Sequence, residues 1–162
     1  MKKTLFLGIF TVFLSSLFLS GIVNAEVTGY QDKKSRVESL VNEAAGLIES
    51  KGQAGIDIIR DKNGKFNTKD SYVFVTSFET GADLVNPAFE EIEGLPAENY
   101  ANPDAKAAQM AIVNAVKDKD AVWIEYLWPK PGETKLSKKE SYLKKIIING
   151  KTHIIGSGFY PE

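Results

Sequence analysis

Hydrophobic positions in the first part of the chain follow a helical period. Between Gln31 and Lys51, apolar side chains recur at i, i+3 and i+4 spacing with polar side chains between them, which is typical of an amphipathic helix. Gly52 interrupts the stripe, and a second short stripe runs through residues 53–61. The Asn63-Gly64 turn follows it. The pattern therefore predicts a long helix followed by a short one.

Further along the chain the pattern changes to the period of two that is typical of strands. Five segments are predicted to be strands: 71–78, which is dense in β-branched and aromatic residues, 82–86, 121–128, 141–148 and 153–160. Between the second and third strands, an apolar stripe predicts a helix from Ala105 to Lys117 with Asp104 as its cap. Helices and strands in this order predict an α+β domain with one five-stranded antiparallel sheet and helices packed against it.

The connections between these elements differ in kind. The segment from Phe89 to Pro103 is rich in Pro, Gly and Asn, and a loop of this length in a compact domain is more often functional than idle. We expect it to act as a lid. The segment from Pro129 to Lys139 is predicted to be a solvated hairpin connection, and Asn149-Gly150 to be a tight turn.

The N-terminus has the pattern of a secretory signal peptide. A basic start, Met1-Lys2-Lys3, precedes an uncharged apolar run that ends in Val23-Asn24-Ala25. We expect cleavage after Ala25, which leaves residues 26–162 as one domain in the periplasm or outside the cell. An uncleaved membrane anchor is the alternative, because the run is about as long as a bilayer is thick.

Composition narrows the chemistry. Without residues 1–25 the chain keeps 18 basic and 21 acidic residues, and no basic patch with interleaved aromatic residues indicates a nucleic-acid partner. The absence of cysteine excludes disulfides and thiolate metal sites. His153 is the one histidine, whereas a metal site needs several ligands and a catalytic triad needs a nucleophile and an oriented base. We therefore expect no cofactor, no metal, no catalytic residues and no enzymatic activity.

The motifs, taken in order, resemble a known family. They are the long first helix, Asp61-Lys-Asn-Gly-Lys-Phe, Asn86-Pro87, the run from Trp123 to Pro131, Ser141-Tyr-Leu-Lys and the closing Gly156-Ser-Gly-Phe-Tyr. Together they resemble the single Cache domain of the second type from about residue 35 to residue 160, which is nearly all of the predicted mature chain. The resemblance implies a PAS-like sheet behind a long helix. It also implies a sensing domain of bacterial chemoreceptors and histidine kinases that binds small organic ligands, often short carboxylates.

The resemblance and the alternation of the strands together select candidate ligand-binding residues. We expect the wall of a pocket on one face of the sheet, formed by Tyr72, Phe74, Tyr126, Trp128, Tyr142 and Lys144. Tyrosine hydroxyls and an ammonium are hydrogen-bond donors, which a small anion requires in a partly dry site. In the alternative interpretation, Lys144 extends its charged end to solvent at the sheet edge and the tyrosines are core residues. Arg60 is a second candidate cation, although an arginine there more often caps a helix or pairs with an acid.

The chain departs from the family pattern at two positions, and two functional interpretations remain open. Many relatives have His-Pro where this chain has Asn86-Pro87, a change at the expected rim of the pocket. A tryptophan is usual before the last Gly-Ser-Gly, where this chain has His153. The last strand ends close to Glu162, so we expect a free-standing domain that acts with a membrane receptor or kinase partner. The alternative is a ligand-free interaction module of the same fold that forms a homodimer through its long helix.

Overall fold

The computed structural model describes residues 17–68 and 71–161. The helices in this part of the chain are α1 (Leu17–Lys51), α2 (Gln53–Arg60) and α3 (Pro103–Ala115). Its strands are β1 (Val73–Ser77), β2 (Asp83–Val85), β3 (Ala121–Pro129), β4 (Leu136–Ile148) and β5 (Lys151–Phe159). None of the described helices is long and apolar enough to cross a membrane.

The chain divides into two compact units, Met1–Asp32 and Lys33–Glu162. The sheet and all the contacts discussed below belong to the second unit. Residues 1–16 of the predicted signal peptide lie outside the described residues. Cleavage after Ala25 stays a prediction.

The five strands form one antiparallel sheet in the order β2-β1-β5-β4-β3. This arrangement, with the long N-terminal helix, confirms the predicted fold class. The β4–β5 turn is also confirmed, because Asn149 and Gly150 both have positive φ, 51° and 77°, as a type I′ hairpin turn requires. Strands β3, β4 and β5 are consecutive in the chain and form a meander at one side of the sheet. Strand β1 pairs with β5, and β2 pairs with β1.

The sheet buries both of its faces. The face that packs against α1 and α2, here the α1 face, carries side chains such as Val73, Val75 and Ile155. The opposite face, here the α3 face, carries an aromatic cluster with Tyr72 and Phe74 that packs against α3 and the segment after β2. Successive residues of β1 alternate between the two faces, as the strand geometry requires.

A glycine in β5 makes room for this aromatic cluster. A Cβ atom on Gly156 would lie 2.5 Å from the ring of Phe74 and 2.8 Å from the side chain of Leu143. Gly156 therefore lets the side chains of Phe74 and Leu143 pack closely against the strand.

Two boundaries differ from the predictions. Helix α3 is capped by Asn102 rather than Asp104, since the Asn102 side chain accepts hydrogen bonds from the backbone N–H groups of Asp104 and Ala105, with Pro103 in the first turn. The predicted solvated connection 129–139 was wrong over its second half. Strand β4 already begins at Leu136, where it pairs with Pro129. The reason is that the polar run 137–140 belongs to a strand whose successive side chains alternate between the two faces, so that Lys138 is exposed and Lys139 is buried.

Candidate ligand-binding site

A buried lysine lies on the α3 face, close to the end of the sheet at which β3 and β4 are connected. The register of the β3–β4 hairpin places Lys139 directly opposite Tyr126, and Lys139 is only 1% exposed. Its Nζ lies 4.0 Å from the ring centroid of Tyr72, 5.3 Å from that of Phe74 and 5.6 Å from that of Tyr160. Ring faces attract the ammonium electrostatically but do not neutralise it.

The electrostatics of Lys139 are unusual. Burial lowers the pKa of its ammonium to about 7, and the negative charge of Asp83 acts in the opposite direction. No salt bridge of the described residues joins Lys139 to a carboxylate. Lys139 is therefore a desolvated cation without a directly bound counter-ion, and burial of this kind is costly unless a partner is supplied.

Asp83 has the partners that Lys139 lacks. Its buried carboxylate accepts hydrogen bonds from Thr76 Oγ1 at 2.6 Å, from Gln109 Nε2 at 2.7 Å and from Asn86 Nδ2 at 2.7 Å. Burial raises the pKa of Asp83, while these three hydrogen bonds lower it. Because Gln109 belongs to α3 and Thr76 to β1, the Asp83 cluster ties α3 to the sheet.

Three tyrosines complete the polar part of the site. The hydroxyl of Tyr126 forms a hydrogen bond with Ser141 Oγ at 3.0 Å, and the hydroxyl of Tyr160 donates to the carbonyl of Pro129 at 2.6 Å. Burial raises the pKa of Tyr72, Tyr126 and Tyr160. All three phenols therefore stay neutral near pH 7 and remain hydrogen-bond donors.

The segment after β2 covers the site. It contains two short 3-10 helices, Glu90–Ile92 and Ala97–Asn99. The ring of Phe89 stands edge-on to Trp128 with 5.7 Å between centroids, and 6.3 Å from the centroid of Tyr72. This placement fits the lid that the sequence predicts, with Phe89 as its contact to the aromatic wall.

Ion pairs hold the covering segment against the rest of the fold. Arg60 at the end of α2 pairs with Glu93 and donates to the carbonyl of Leu84 at 2.8 Å. The other carboxylate oxygen of Glu93 accepts from the backbone N–H of Asn86 at 2.6 Å. Arg60 therefore pairs with an acid, as one of the two sequence interpretations expects, and its charge is already matched within the protein.

The structure brings together four of the six predicted binding residues. Tyr72, Phe74, Tyr126 and Trp128 share one cluster on the α3 face. Tyr142 and Lys144 do not join them. Tyr142 packs against Trp123 at 5.6 Å between centroids, and Lys144 Nζ donates to Asn42 Oδ1 of α1 at 2.9 Å.

The assignment of Tyr142 and Lys144 to the same face as Tyr126 was wrong because alternation sorts residues within one strand only. The relation between two strands depends on their register, in which Tyr142 pairs with Trp123 and Lys139 pairs with Tyr126, and paired residues share a face. Sequence reasoning missed Lys139 because the residue was assigned to a solvated loop. Extending the alternation of β4 backwards from Leu143 through Ser141 would have found it.

An open groove of about 820 Å³ lies at the same end of the sheet. Three cationic side chains, Lys33, Arg36 and Lys130, line it together with Tyr160 and others. Tyr160 therefore borders both the solvent groove and the Lys139 cluster. Among the described residues, no group of three or more His, Asp or Glu side chains could hold a metal ion.

The arrangement of one antiparallel sheet, a long N-terminal helix and a covered aromatic wall defines a sensor-type α+β domain. The family model for the Cache domain matches residues 62–162. The chain belongs to the Cache domain family.

Individual relatives agree with this membership. The chain is 25% identical over 148 residues to the methyl-accepting chemotaxis protein McpP of Pseudomonas putida, and the match covers 82% of this chain but 26% of that protein. The chain thus spans about a quarter of the length of the curated relative it matches.

Solved structures show the same fold. A periplasmic sensor domain of a chemotaxis protein superimposes with a TM-score of 0.68 at 24% identity, covering 82% of this chain and 98% of that one. A Cache chemosensory domain described for carboxylic acid recognition superimposes with a TM-score of 0.64 at 25% identity, covering 82% and 96%. A methyl-accepting chemotaxis protein from Vibrio parahaemolyticus reaches 0.65 at 16% identity, covering 86% and 96%.

Proposed function

We propose that this Cache domain binds a short organic carboxylate on its α3 face, with the ammonium of Lys139 as the cationic partner. One observation carries the proposal: Lys139 is 1% exposed, faces three aromatic rings and forms no salt bridge with the described residues. A ligand carboxylate would supply the missing charge. Charge-assisted hydrogen bonds in a dry site are strong.

The surroundings of Lys139 limit the size of the ligand. Tyr72, Phe74 and Trp128 are all buried, and the ring of Phe89 rests on two of them. Because these rings already pack together, we expect the apolar tail of the ligand to be short. The ligand exchanges with solvent when Phe89 and its segment move away from Trp128.

A sensing role follows from the same site. The Pseudomonas relative is a chemotaxis receptor, and a structural neighbour at 25% identity is described for carboxylic acid recognition. We propose that the domain works outside the cytoplasm and binds its ligand without transforming it. Ligand binding is then signalled to a membrane receptor or kinase partner. We also propose that the domain forms a homodimer through α1.

Calorimetric titration with acetate, propanoate and butanoate tests the proposal. Lys139→Met removes the charge at nearly constant volume, and we expect it to weaken binding by about 100-fold or more, since truncating one partner of a buried charge pair has a large effect. Lys144→Met is the matched control because Lys144 lies on the opposite face of the sheet and contacts Asn42. It should change the affinity by less than about twofold, as expected for a residue outside the site.

Two results would contradict the proposal. If Lys139→Met binds these acids as tightly as the parent protein, Lys139 is not the cationic partner. If none of the acids binds the parent protein, the ligand-free interaction module is the better interpretation, and size measurements of the domain would then show a dimer.

A further inference from the structure

The covering segment between β2 and α3 has two different faces. Phe89, Ile92 and Leu95 recur at every third position and pack against the aromatic cluster of the α3 face. Glu90 and Glu93 also lie three positions apart, and both form ion pairs with side chains outside the segment. A period of three is the repeat of the 3-10 helix that begins at Glu90. One face of the segment is therefore held by apolar packing and the other by charge.

The two ion pairs of the segment differ in strength. In the first pair, the side chain of Glu93 is 16% exposed and that of Arg60 is 40% exposed. In the second, Lys62 and Glu90 are 55% and 50% exposed, with 2.9 Å between Nζ and Oε2. Ion pairs between solvent-exposed side chains contribute little to stability, and charged hydrogen bonds contribute more where water is partly excluded. The Arg60–Glu93 pair is therefore the stronger of the two.

Both members of the stronger pair are bonded a second time. Arg60 pairs with Glu93 through Nη1 and donates from Nη2 to the carbonyl of Leu84 in β2 at 2.8 Å. The second carboxylate oxygen of Glu93 accepts from the backbone N–H of Asn86 at 2.6 Å. The pair thus joins the covering segment to α2 and to the end of β2 at one point.

Helix α2, which carries Arg60, gives the pair a fixed anchor. Ile59 is fully buried in the core of the α1 face. Gly55 lies so close to α1 that a Cβ atom there would be 2.6 Å from the carbonyl oxygen of Leu47. Close-packed elements of this kind resist displacement. Movement at the ion pair therefore has to come from the covering segment.

We infer that Arg60 and Glu93 form a latch that sets how often the covering segment opens, and that the Lys62–Glu90 pair does not. Opening moves Phe89 away from the rings of Tyr72 and Trp128. Because this motion uncovers the aromatic wall, the latch also governs how fast a ligand enters and leaves. That consequence rests on the function proposed above, whereas opening of the ligand-free protein does not.

Arg60 and Glu93 are positioning residues, since they act through the covering segment rather than on the ligand. The same latch is closed in the ligand-free and in the ligand-bound domain. Loosening it therefore accelerates entry and exit of the ligand together and leaves the affinity nearly unchanged.

Hydrogen–deuterium exchange of the ligand-free protein, followed at single amides, tests the latch directly. Glu93→Gln removes the charge at constant size, and Glu90→Gln is the same change at the exposed pair. The backbone N–H groups of Gly94 and Ala97 report on opening, because they donate to carbonyls outside the segment at 2.8 Å and 3.1 Å. Glu93→Gln should accelerate their exchange about tenfold. Glu90→Gln should change it by less than about twofold.

The urea dependence of this exchange distinguishes a latch from a general contribution to stability. Opening of one segment exposes little surface, so urea should hardly accelerate exchange at Gly94 and Ala97. The amides of β4 and β5 exchange through unfolding of the domain and should depend strongly on urea. If the segment amides showed the same urea dependence as the sheet amides, the pair would act on global stability alone and the inference would be overturned. An equal effect of Glu90→Gln, or no effect of Glu93→Gln, would overturn it as well.

A variant at the other end of the pair shows whether the two residues act together. Arg60→Gln should accelerate the same amides at least as much as Glu93→Gln. Combining the two substitutions should add less than about twofold to the effect of Arg60→Gln alone, because the partners of one contact are not additive. Multiplied effects in the double variant would contradict a shared latch.

Stopped-flow mixing with propanoate extends the test to ligand exchange. In Glu93→Gln, association and dissociation should both become about tenfold faster, with Kd within about threefold of the parent value. Unchanged rates in a variant with faster amide exchange would show that the ligand does not pass the covering segment, which overturns this part of the inference. If propanoate and its homologues do not bind the parent protein, the proposed function fails, and the amide exchange of the ligand-free protein still decides whether the latch exists.

Discussion

The two faces of the sheet carry the same residue types and use them differently. The α1 face presents Trp123 and Lys144, whereas the α3 face presents Trp128 and Lys139. On the α1 face both polar ends are bonded to helix α1: Trp123 Nε1 donates to Glu38 Oε1 at 2.6 Å, and Lys144 Nζ donates to Asn42 Oδ1 at 2.9 Å. The α1 face is thereby fixed to the helix.

On the α3 face the corresponding groups lack such bonds. Lys139 faces three aromatic rings, and two nearby polar atoms, on Asn86 and Tyr100, have no partner in the described residues. This difference between the faces supports the proposal that the α3 face binds a ligand, whereas the α1 face is bonded to its helix. Functional sites are where proteins depart from the rules of stable packing.

The largest expected difference between the faces is in the pH dependence of ligand affinity. The pKa of Lys139 is lowered to about 7 in the ligand-free protein, and a bound carboxylate raises it again, so binding takes up a proton above that pH. Affinity should be constant below pH about 7 and then fall about tenfold per pH unit up to pH about 9. Titration calorimetry at several pH values, in buffers of different ionisation enthalpy, measures both the affinity and the proton uptake.

Lys144→Met provides the control for this profile. Its pH dependence should match that of the parent, because Lys144 lies on the α1 face beside Asn42. An affinity that stays constant from pH about 6 to about 9 would show that the ligand does not contact the Lys139 ammonium.

The next effect concerns the stability of the ligand-free domain. The folded-state pKa of Lys139 is about 7, lowered from 10.5, so folding disfavours its charged form. This destabilisation is fully present below pH about 7 and is lost as pH rises toward the unfolded value. Lys139→Met should therefore stabilise the ligand-free domain by about 1–2 kcal/mol at pH about 6, and the gain should shrink as the pH approaches 10.

Urea unfolding at pH values of about 6 and about 9.5 measures this gain and its decline. Lys144→Met should give no comparable gain at either pH, since its hydrogen bond to Asn42 is lost. A destabilised Lys139→Met would mean that the ammonium contributes to folding and is not reserved for a ligand.

Much of the fold could be predicted from the sequence because local signals agree with the tertiary structure. The Asn149-Gly150 turn, the period of two in β1 and β5, and the stripe on α1 each specify their element without reference to distant residues. The start of β4 could not be predicted in this way. Its polar residues between Leu136 and Glu140 have the composition of a loop, and only pairing with β3 makes them a strand.

The candidate site was predicted in part for the same reason. Alternation correctly grouped Tyr72 with Phe74 in the first predicted strand and Tyr126 with Trp128 in the third, and all four side chains lie in one cluster. Its cation does not follow, because choosing Lys139 over Lys144 requires the register between β3 and β4. This register depends on the length of the β3–β4 connection, whose residues give no hydrophobic signal. Because the start of β4 was predicted too late in the chain, the wrong lysine was selected.

The smallest expected effects distinguish the roles of the two tryptophans. Trp123→Phe removes the hydrogen bond to Glu38 and alters the contact with Lys34, whose Nζ lies 4.6 Å from the ring centroid. We expect a loss of about 1 kcal/mol in the free energy of unfolding, with ligand affinity unchanged, because Trp123 faces α1. Chemical denaturation followed by titration of the same sample gives both quantities.

Trp128→Phe should behave in the opposite way. The ring of Trp128 contacts Phe89 and Tyr126, so a smaller ring loosens the contact between the covering segment and the aromatic wall. Ligand dissociation should then become a few times faster in stopped-flow measurements, consistent with the energy of one aromatic pair, while Trp123→Phe leaves the rate unchanged. If both substitutions changed the dissociation rate equally, the two faces would be coupled, and the α3 face would not be a separate binding surface.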